Sequence, residues 1–298
     1  MAATANTVDL RGMGEYIRQN ENQLFVNATV GAKTLDYIDI MLNVKHKEAL
    51  NYLDSEVVLA AAACGWNPQG SDTFGQRYIE VHTIEVEKEY CYYDFKQYVI
   101  NEQMKFQAGR ETLGSWEEKI ANSQVEAIKA EVEKMIWQGN SGASVTGFLA
   151  DAAEASVTTV EFASGATAVD KIDAIVAALS PKMLAKGVNL FVSFSDFGAY
   201  VREMNGACCS NRAVIDAASD TLTYLGDSRV KIIPVLGLED TGKMVAATAD
   251  ALVYGTDLEG SETAYRWLFD EKEDKFLFKV MFNAGTAIRF PDEVILGE

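Results

Sequence analysis

The sequence predicts an α+β fold in which one long helix lies over a β-sheet, with an α/β unit inserted between helix and sheet and an extended β-hairpin before the helix. Three stretches carry that expectation. Apolar residues recur at helical spacing from Ser115 to Gln138, helices and strands alternate from Thr167 to Asp257, and the tail from Tyr265 has the alternation of a hairpin.

Within Ser115–Gln138, Trp116, Ile120, Val125, Ile128, Val132, Met135 and Ile136 fall on one stripe. Glu117, Glu118, Glu126, Glu131, Glu133, Lys119, Lys129 and Lys134 take most of the remaining positions. Ser115 and Glu118 have the spacing of a capping box, in which each side chain satisfies the other's unpaired backbone N–H. Gly139 supplies a left-handed stop. Such a helix spans roughly 35 Å at 1.5 Å per residue. A single apolar stripe on so long a rod needs a long partner, and a sheet is the natural one.

Composition bounds the function. The chain has 298 residues, 48% of them apolar and 23% charged, which describes a globular protein with room for one large core or two. Lys and Arg number 26 against 44 acidic residues, and the resulting charge of −18 argues against binding phosphates by bulk attraction. Four cysteines without a C-x-x-C, two of them adjacent at Cys208 and Cys209, make neither a disulfide framework nor a zinc site, and fit a reducing compartment. The first residues lack the apolar core of a signal peptide, and no run approaches the ~20 apolar residues that span a bilayer.

In chain order, 1–43 is a lightly patterned arm whose first strongly apolar segment is Leu35–Leu42. From 44 to 100 the chain is expected to form two long arms around the turn-rich Asn67–Asp72. VVLAAAACGW (57–66) precedes that turn; after it Ile79, Val81, Ile84 and Val86 alternate with polar residues as on a half-buried strand. The region 101–164 holds the long helix and the loop GNSGASVTG (139–147). That loop follows a helix and carries no lysine, so it does not fit a phosphate-cradling loop and is expected to be a flexible connector. In 165–257, Thr167 and Asp170 cap a helix bearing Val169, Ile172, Ile175, Val176 and Leu179; Pro181 ends it, and PKMLAKG adds a short turn. NLFVS (189–193) is a buried strand, and Ser195 is the expected cap of a helix carrying Phe197, Tyr200, Val201 and Met204. TLTYLG, RVKIIPVLGL, KMVAATA and ALVYGTD supply further strands, the second placed at an edge or bulge because Pro234 cannot donate to a ladder. In 258–298, YRWLFD and KFLFKVMF form a hairpin that pairs Trp267 and Phe269 with Phe276 and Phe278, and TAIRF adds a last strand ending at Pro291. This hairpin is the expected sheet beneath the long helix.

Catalytic chemistry is sparse. His46 lies in KHK and His82 on the polar side of an alternating strand, so both are expected to be solvated. Acidic residues are scattered without EF-hand or H-E-x-x-H spacing, and Cys208 and Cys209 are expected to pack as small apolar side chains. No catalytic, cofactor-binding or metal-ligating residue is assigned.

From about Lys45 to the end, the order of parts resembles the major capsid proteins of tailed bacteriophages, with the Hong Kong 97-type coat fold. HKEALNYLDSEVVLAAAACGWNPQGSDTFGQRYIEV resembles the extended loop of coat proteins from phages of Bacteroidetes-like hosts. EYCYYDF and EEKIANSQVEAIKAEVEKMIWQG resemble the entry to the spine helix and the helix itself. VDKIDAIVAAL, NLFVSFSDFGAYV, VKIIPVLGL and ALVYGTDLEG resemble the axial domain, and FKVMFNAGTAIRFPDEVIL resembles the closing strands of the peripheral domain.

The resemblance implies a coat protein that assembles as pentamers and hexamers into an icosahedral shell around double-stranded DNA, without sequence-specific DNA binding, membrane, cofactor or catalytic residues. It implies the virion as location, with the host cytoplasm before assembly, and a portal and auxiliary or decoration proteins as partners. Because 1–43 is too short for a scaffolding segment, it also implies a separate scaffolding protein. Some relatives crosslink a lysine to an asparagine, and no such pair is placed here. The acidic balance suits a wall that does not adsorb the genome during packing. The alternatives are an encapsulin-like bacterial nanocompartment shell protein and an α/β enzyme using carboxylate acid/base chemistry.

Overall fold

The computed structural model describes residues 31–59, 61, 64–65, 70–91, 97, 116–206, 215–216, 220–257, 265–270 and 272–298. Ser115 with its expected capping box, the turn residues 67–69, and Cys208 and Cys209 lie outside them. In chain order the strands are β1 (Asp39–Leu42), β2 (Lys47–Val57), β3 (Gly70–Glu80), β4 (His82–Cys91), β5 (Thr158–Val160), β6 (Val188–Val192), β7 (Ile215–Asp216), β8 (Thr221–Thr223), β9 (Val230–Pro234), β10 (Met244–Ala247), β11 (Leu252–Asp257), β12 (Tyr265–Asp270), β13 (Lys275–Ile288) and β14 (Val294–Gly297). The helices are α1 (Trp116–Gln138), α2 (Phe148–Glu154), α3 (Ala168–Ala178), α4 (Pro181–Lys186) and α5 (Phe194–Gly206). Two compact units result. The first takes the described residues of 31–32, 83–132 and 257–283, the second those of 33–82, 133–256 and 284–298.

In the first unit the expected hairpin forms. β12 and β13 are antiparallel, with Trp267 opposite Phe278 and Phe269 opposite Phe276. Phe276, Phe278, Val280 and Phe282 are buried while Leu277 and Met281 between them are exposed, the period of two that a one-sided sheet requires. α1 buries Ala121, Val125, Ile128 and Val132 along its stripe. Its partner includes β4, where Lys88 donates to Gln124 of the helix at 2.7 Å and Tyr90 also hydrogen-bonds Gln124. This strand departs from the sequence reading, which ran it on as one arm of the long hairpin. The arm instead breaks at Val81, whose N–H turns to the carbonyl of His46 at 2.8 Å, and β4 pairs with β13.

The helix stops where expected. Gly139 has φ +78°, a left-handed conformation that costs glycine nothing, and its N–H bonds Met135 O at 2.8 Å. The loop that follows is not the free connector expected of its composition. Asn140 and Val145 exchange backbone hydrogen bonds at 2.9 and 3.1 Å, and the Asn140 side chain accepts from Gly142 N at 2.9 Å. A local Asn-capped turn closes the loop.

The second unit is built on a seven-stranded sheet in the order β5-β14-β10-β6-β9-β8-β7. β6 and β9 are parallel, and β10 is antiparallel to both β6 and β14. Ile172, Ile175, Met183, Phe197 and Tyr200 from α3, α4 and α5 pack with Leu190, Val192, Ile232 and Ala246 of the sheet. The Thr167–Asp170 capping box forms as expected, and Ser180 caps α4 with Pro181 in its first turn.

Five expectations change here. Ser193, not Ser195, caps α5: its Oγ accepts from Asp196 N at 3.0 Å, because the helix already starts at Phe194. β9 is an interior strand despite Pro234. The proline sits at its last position, past Ile232 where β8 stops pairing, so no ladder donor is missed. TAIRF is no separate strand, because Thr286–Ile288 continue β13. Val294–Gly297, grouped with the closing strands, instead enters this sheet between β5 and β10, and β11 pairs with β1 and β13 rather than joining it. Both misplacements concern short apolar strands, whose composition states that they are buried but not beside what.

Ile128 is 3% exposed, whereas its neighbour Lys129 reaches Glu126 at the surface. Ile128→Asp puts an unpaired charge into the stripe and is expected to cost about 3–5 kcal/mol. Lys129→Asp, which sets two acidic side chains one turn apart, costs about 0.5 kcal/mol. Denaturant melts of both variants check the assignment of the buried face.

Candidate functional site

The surface most in need of a partner is the β2–β3 ribbon. Its strands pair without a break from Lys47↔Glu80 to Val57↔Gly70. Only one end is packed. There Leu50 and Ile79 join Val44, Val81, Val253 and Ala287 in a small buried cluster. The approach is close: a Cβ added at Gly285 would lie 2.0 Å from the carbonyl oxygen of Glu80, so the strand accepts only glycine at that point without moving. One step further out, Arg77 Nη2 meets Asp151 Oδ1 of α2 at 2.7 Å, and Asp151 Oδ2 accepts from Ile288 N at 2.6 Å. Further out again, the Tyr52 ring crosses Gly75 and meets Phe290 edge-on at 6.0 Å.

Beyond these tethers several apolar side chains of the ribbon and of the segment that follows β2 are exposed. Leu53 is 54% exposed, Val57 77%, Phe74 80% and Leu59 94%. A two-stranded ribbon is marginal alone. Apolar side chains on such an element form a docking surface and an aggregation hazard unless a partner covers them.

His46 is exposed and His82 half-buried, and the two described cysteines, Cys64 and Cys91, are exposed. Among the described residues no group of three or more His, Cys, Asp or Glu side chains converges as a metal site, and no helix is long and apolar enough to cross a membrane.

A long helix against a small sheet, a separate α/β unit and a bare two-stranded ribbon define the class of fold found in capsid shells. No family model and no curated protein matches the sequence. Solved structures match the fold. The capsid of a native GTA particle is 12% identical with a TM-score of 0.55, over 91% of this chain and 89% of that one. The satellite phage P4 procapsid, solved with its size-determination protein, is 10% identical with a TM-score of 0.58, over 99% and 92%. A virus-like particle from Pyrococcus furiosus is 9% identical with a TM-score of 0.55, over 95% and 100%. The chain has the Hong Kong 97-type phage capsid fold.

Several buried polar groups escaped the sequence reading, Glu133 and Asp151 among them. Glu133, assigned to the polar positions of α1, is 4% exposed. Its carboxylate accepts from Thr34 N at 3.2 Å and from the Thr34 hydroxyl, which itself accepts from Trp137 Nε1 at 2.8 Å. This chain of hydrogen bonds ties the 3₁₀ turn Lys33–Tyr37 to the last turns of the helix. Glutamate in a charged helix carries no sign of burial, so no local signal marked it.

Burial pushes the Glu133 carboxyl above the usual glutamate range, with the Thr34 donors pulling the other way. A carboxyl raised on folding contributes stability that is complete below its unfolded value and is lost as pH climbs through its folded value. Glu133→Gln removes that titration. Relative to this variant, the native protein is therefore expected to lose stability as pH rises out of the ordinary glutamate range and then to level off, which paired melts across pH measure.

Proposed function

We propose that the chain is a major capsid protein that assembles with copies of itself, as pentamers and hexamers, into an icosahedral head shell around a double-stranded DNA phage genome. The observation that carries this reading is the bare outer half of the β2–β3 ribbon, with Leu53, Val57, Leu59 and Phe74 uncovered in the single chain. In a shell a neighbouring subunit supplies the cover, and association of this kind is driven by apolar burial. The capsid fold, present over nearly the whole chain, supports the same reading.

On this reading 1–43 is an N-terminal arm, the β2–β3 ribbon is the extended loop, α1 with β4, β12 and the first half of β13 belongs to the peripheral domain, and the unit around the seven-stranded sheet is the axial domain. The protein works without cofactor or catalysis, alongside a separate scaffolding protein, a portal and auxiliary proteins, and passes from host cytoplasm to virion. The likeness to a virus-like particle, over the whole of that chain, favours a second reading as the shell of a bacterial nanocompartment. A cargo enzyme encoded beside the gene would select that one, and a portal and terminase the first.

The test is direct. Purified protein should sediment as capsomers or shells in some salt condition, and electron microscopy should show closed particles. A strictly monomeric species across concentration and salt, turning over a small molecule, would overturn both shell readings in favour of a carboxylate enzyme. Replacing Glu56–Asp72 by a short Gly-Ser turn should leave the circular dichroism spectrum and cooperative melt largely intact while abolishing particles. Loss of folding instead would place the ribbon in the protein's own core.

A further inference from the structure

We propose that the β2–β3 ribbon has two faces with different partners: one is turned to the chain's own body, and the other is the docking surface for a second copy of this chain. The inference rests on the shell reading and adds to it the face that the copy covers.

Antiparallel pairing sorts the side chains. Residues alternate across a strand, and directly paired residues share a face. The register therefore puts Leu50, Tyr52, Arg77 and Ile79 on one side, and Asn51, Leu53, Val57, Phe74, Gln76 and Tyr78 on the other. The tethers to the body leave from the first side: Leu50 and Ile79 enter the buried cluster, Arg77 meets Asp151, and Tyr52 meets Phe290. On the second side every residue of 51–57 and 70–76 is exposed.

The polar side chains of that exposed face are occupied with one another. Lys47 pairs with Glu80 and stands 4.6 Å from the centroid of the Tyr78 ring. Tyr78 donates to Gln76 at 2.8 Å, Gln76 donates to Asn51 at 2.9 Å, and Ser55 donates to Asp72. The unmet demand is apolar. Leu53 and Phe74 lie directly opposite each other, and Val57 faces Gly70, which has no side chain to shield it. These groups gain by burial, and the paired polar groups beside them keep their partners when water leaves.

Area selects the occupant. One face of eleven paired residues has a footprint of roughly 400 Å², at about 3.4 Å per residue and 4.8 Å between strands. A stable interface takes about 800 Å² from each partner, so a lone soluble partner held by this face alone falls short. A second copy does not. Each chain gives its ribbon to one neighbour and receives the ribbon of another, and the contact repeats around a closed ring. The copy then lies across the ribbon from the chain's own body.

Adjacent positions on opposite faces test the assignment. Phe74→Lys and Thr73→Lys put the same charge on exposed sites one residue apart, the first on the docking face and the second on the other. By sedimentation and electron microscopy, Phe74→Lys should lower the yield of particles about tenfold or more, because it buries an unpaired charge against the copy. Thr73→Lys should leave the yield close to that of the native protein, with unchanged circular dichroism in both. Leu53→Lys and Ser71→Lys, one on each face, repeat the comparison and decide it if either of the first variants fails to fold. Native particles together with equal loss on both faces, no loss on either, or loss on the Thr73 face alone overturn the face assignment and leave the shell reading standing. Native protein that stays monomeric in every salt condition overturns the shell reading, and the proposal falls with it.

Discussion

β13 imposes the constraint on which the rest of the structure depends. Its first half alternates buried and exposed residues, and from Ala284 to Ile288 every residue is buried. One continuous strand therefore switches from a one-sided sheet to a position covered on both sides. The first half takes β12 and β4 and gives α1 a surface on which to bury its stripe. The second half fixes where the ribbon ends: Gly285 receives Glu80, Ala287 joins the cluster with Ile79, and Ile288 N–H holds Asp151, which in turn holds Arg77. Small side chains at 284, 285 and 287 are the condition for this crowding. Larger ones would separate the strand from the backbone it must touch.

What was legible in the sequence is what is decided within a few residues. Thr167 caps with Asp170, Gly139 stops a helix, and phenylalanines two apart in 276–282 face one way. Each follows from local sterics and a period. The misses share the opposite property. β4 and β14 were seen as apolar and extended, but pairing with β13 and β10 is settled across long stretches of chain. Pro234 was assigned to an edge or a bulge because the sequence shows the missing N–H and not where β8 ends. Glu133 was assigned to the polar positions because only the fold brings Thr34 and Trp137 around it. Of the ribbon, two extended arms around a turn were legible, but not whether they stand off the body or fold onto it, because composition alone does not say what covers an apolar strand.

Identity of 9–12% with the capsid structures, over nearly the full chain, is consistent with the same physics. A helix stripe, a sheet period and the sites of turns tolerate wide substitution as long as pattern and volume persist. The contacts specific to this chain, such as Arg77–Asp151 and Thr34–Glu133, are polar pairs that the general pattern does not dictate. They set how firmly particular segments are held rather than which fold forms.

Net charge bears on the same surface. A chain at −18 repels its copies, and repulsion between exposed charges reaches about 8–10 Å at physiological salt. Within Lys47–Glu80 there are five acidic residues (Glu48, Asp54, Glu56, Asp72 and Glu80) against Lys47 and Arg77, so the segment with exposed Val57, Leu59 and Phe74 is itself anionic. Apolar attraction acts only at contact and is blind to partner, whereas the charge discourages approach in all but matched orientations. An uncovered strand edge is otherwise open to any other strand. On the proposed reading, the acidic balance lets the ribbon stay soluble before assembly, because only the surface that offsets its charge can bring it close enough to bury its leucine and phenylalanine side chains.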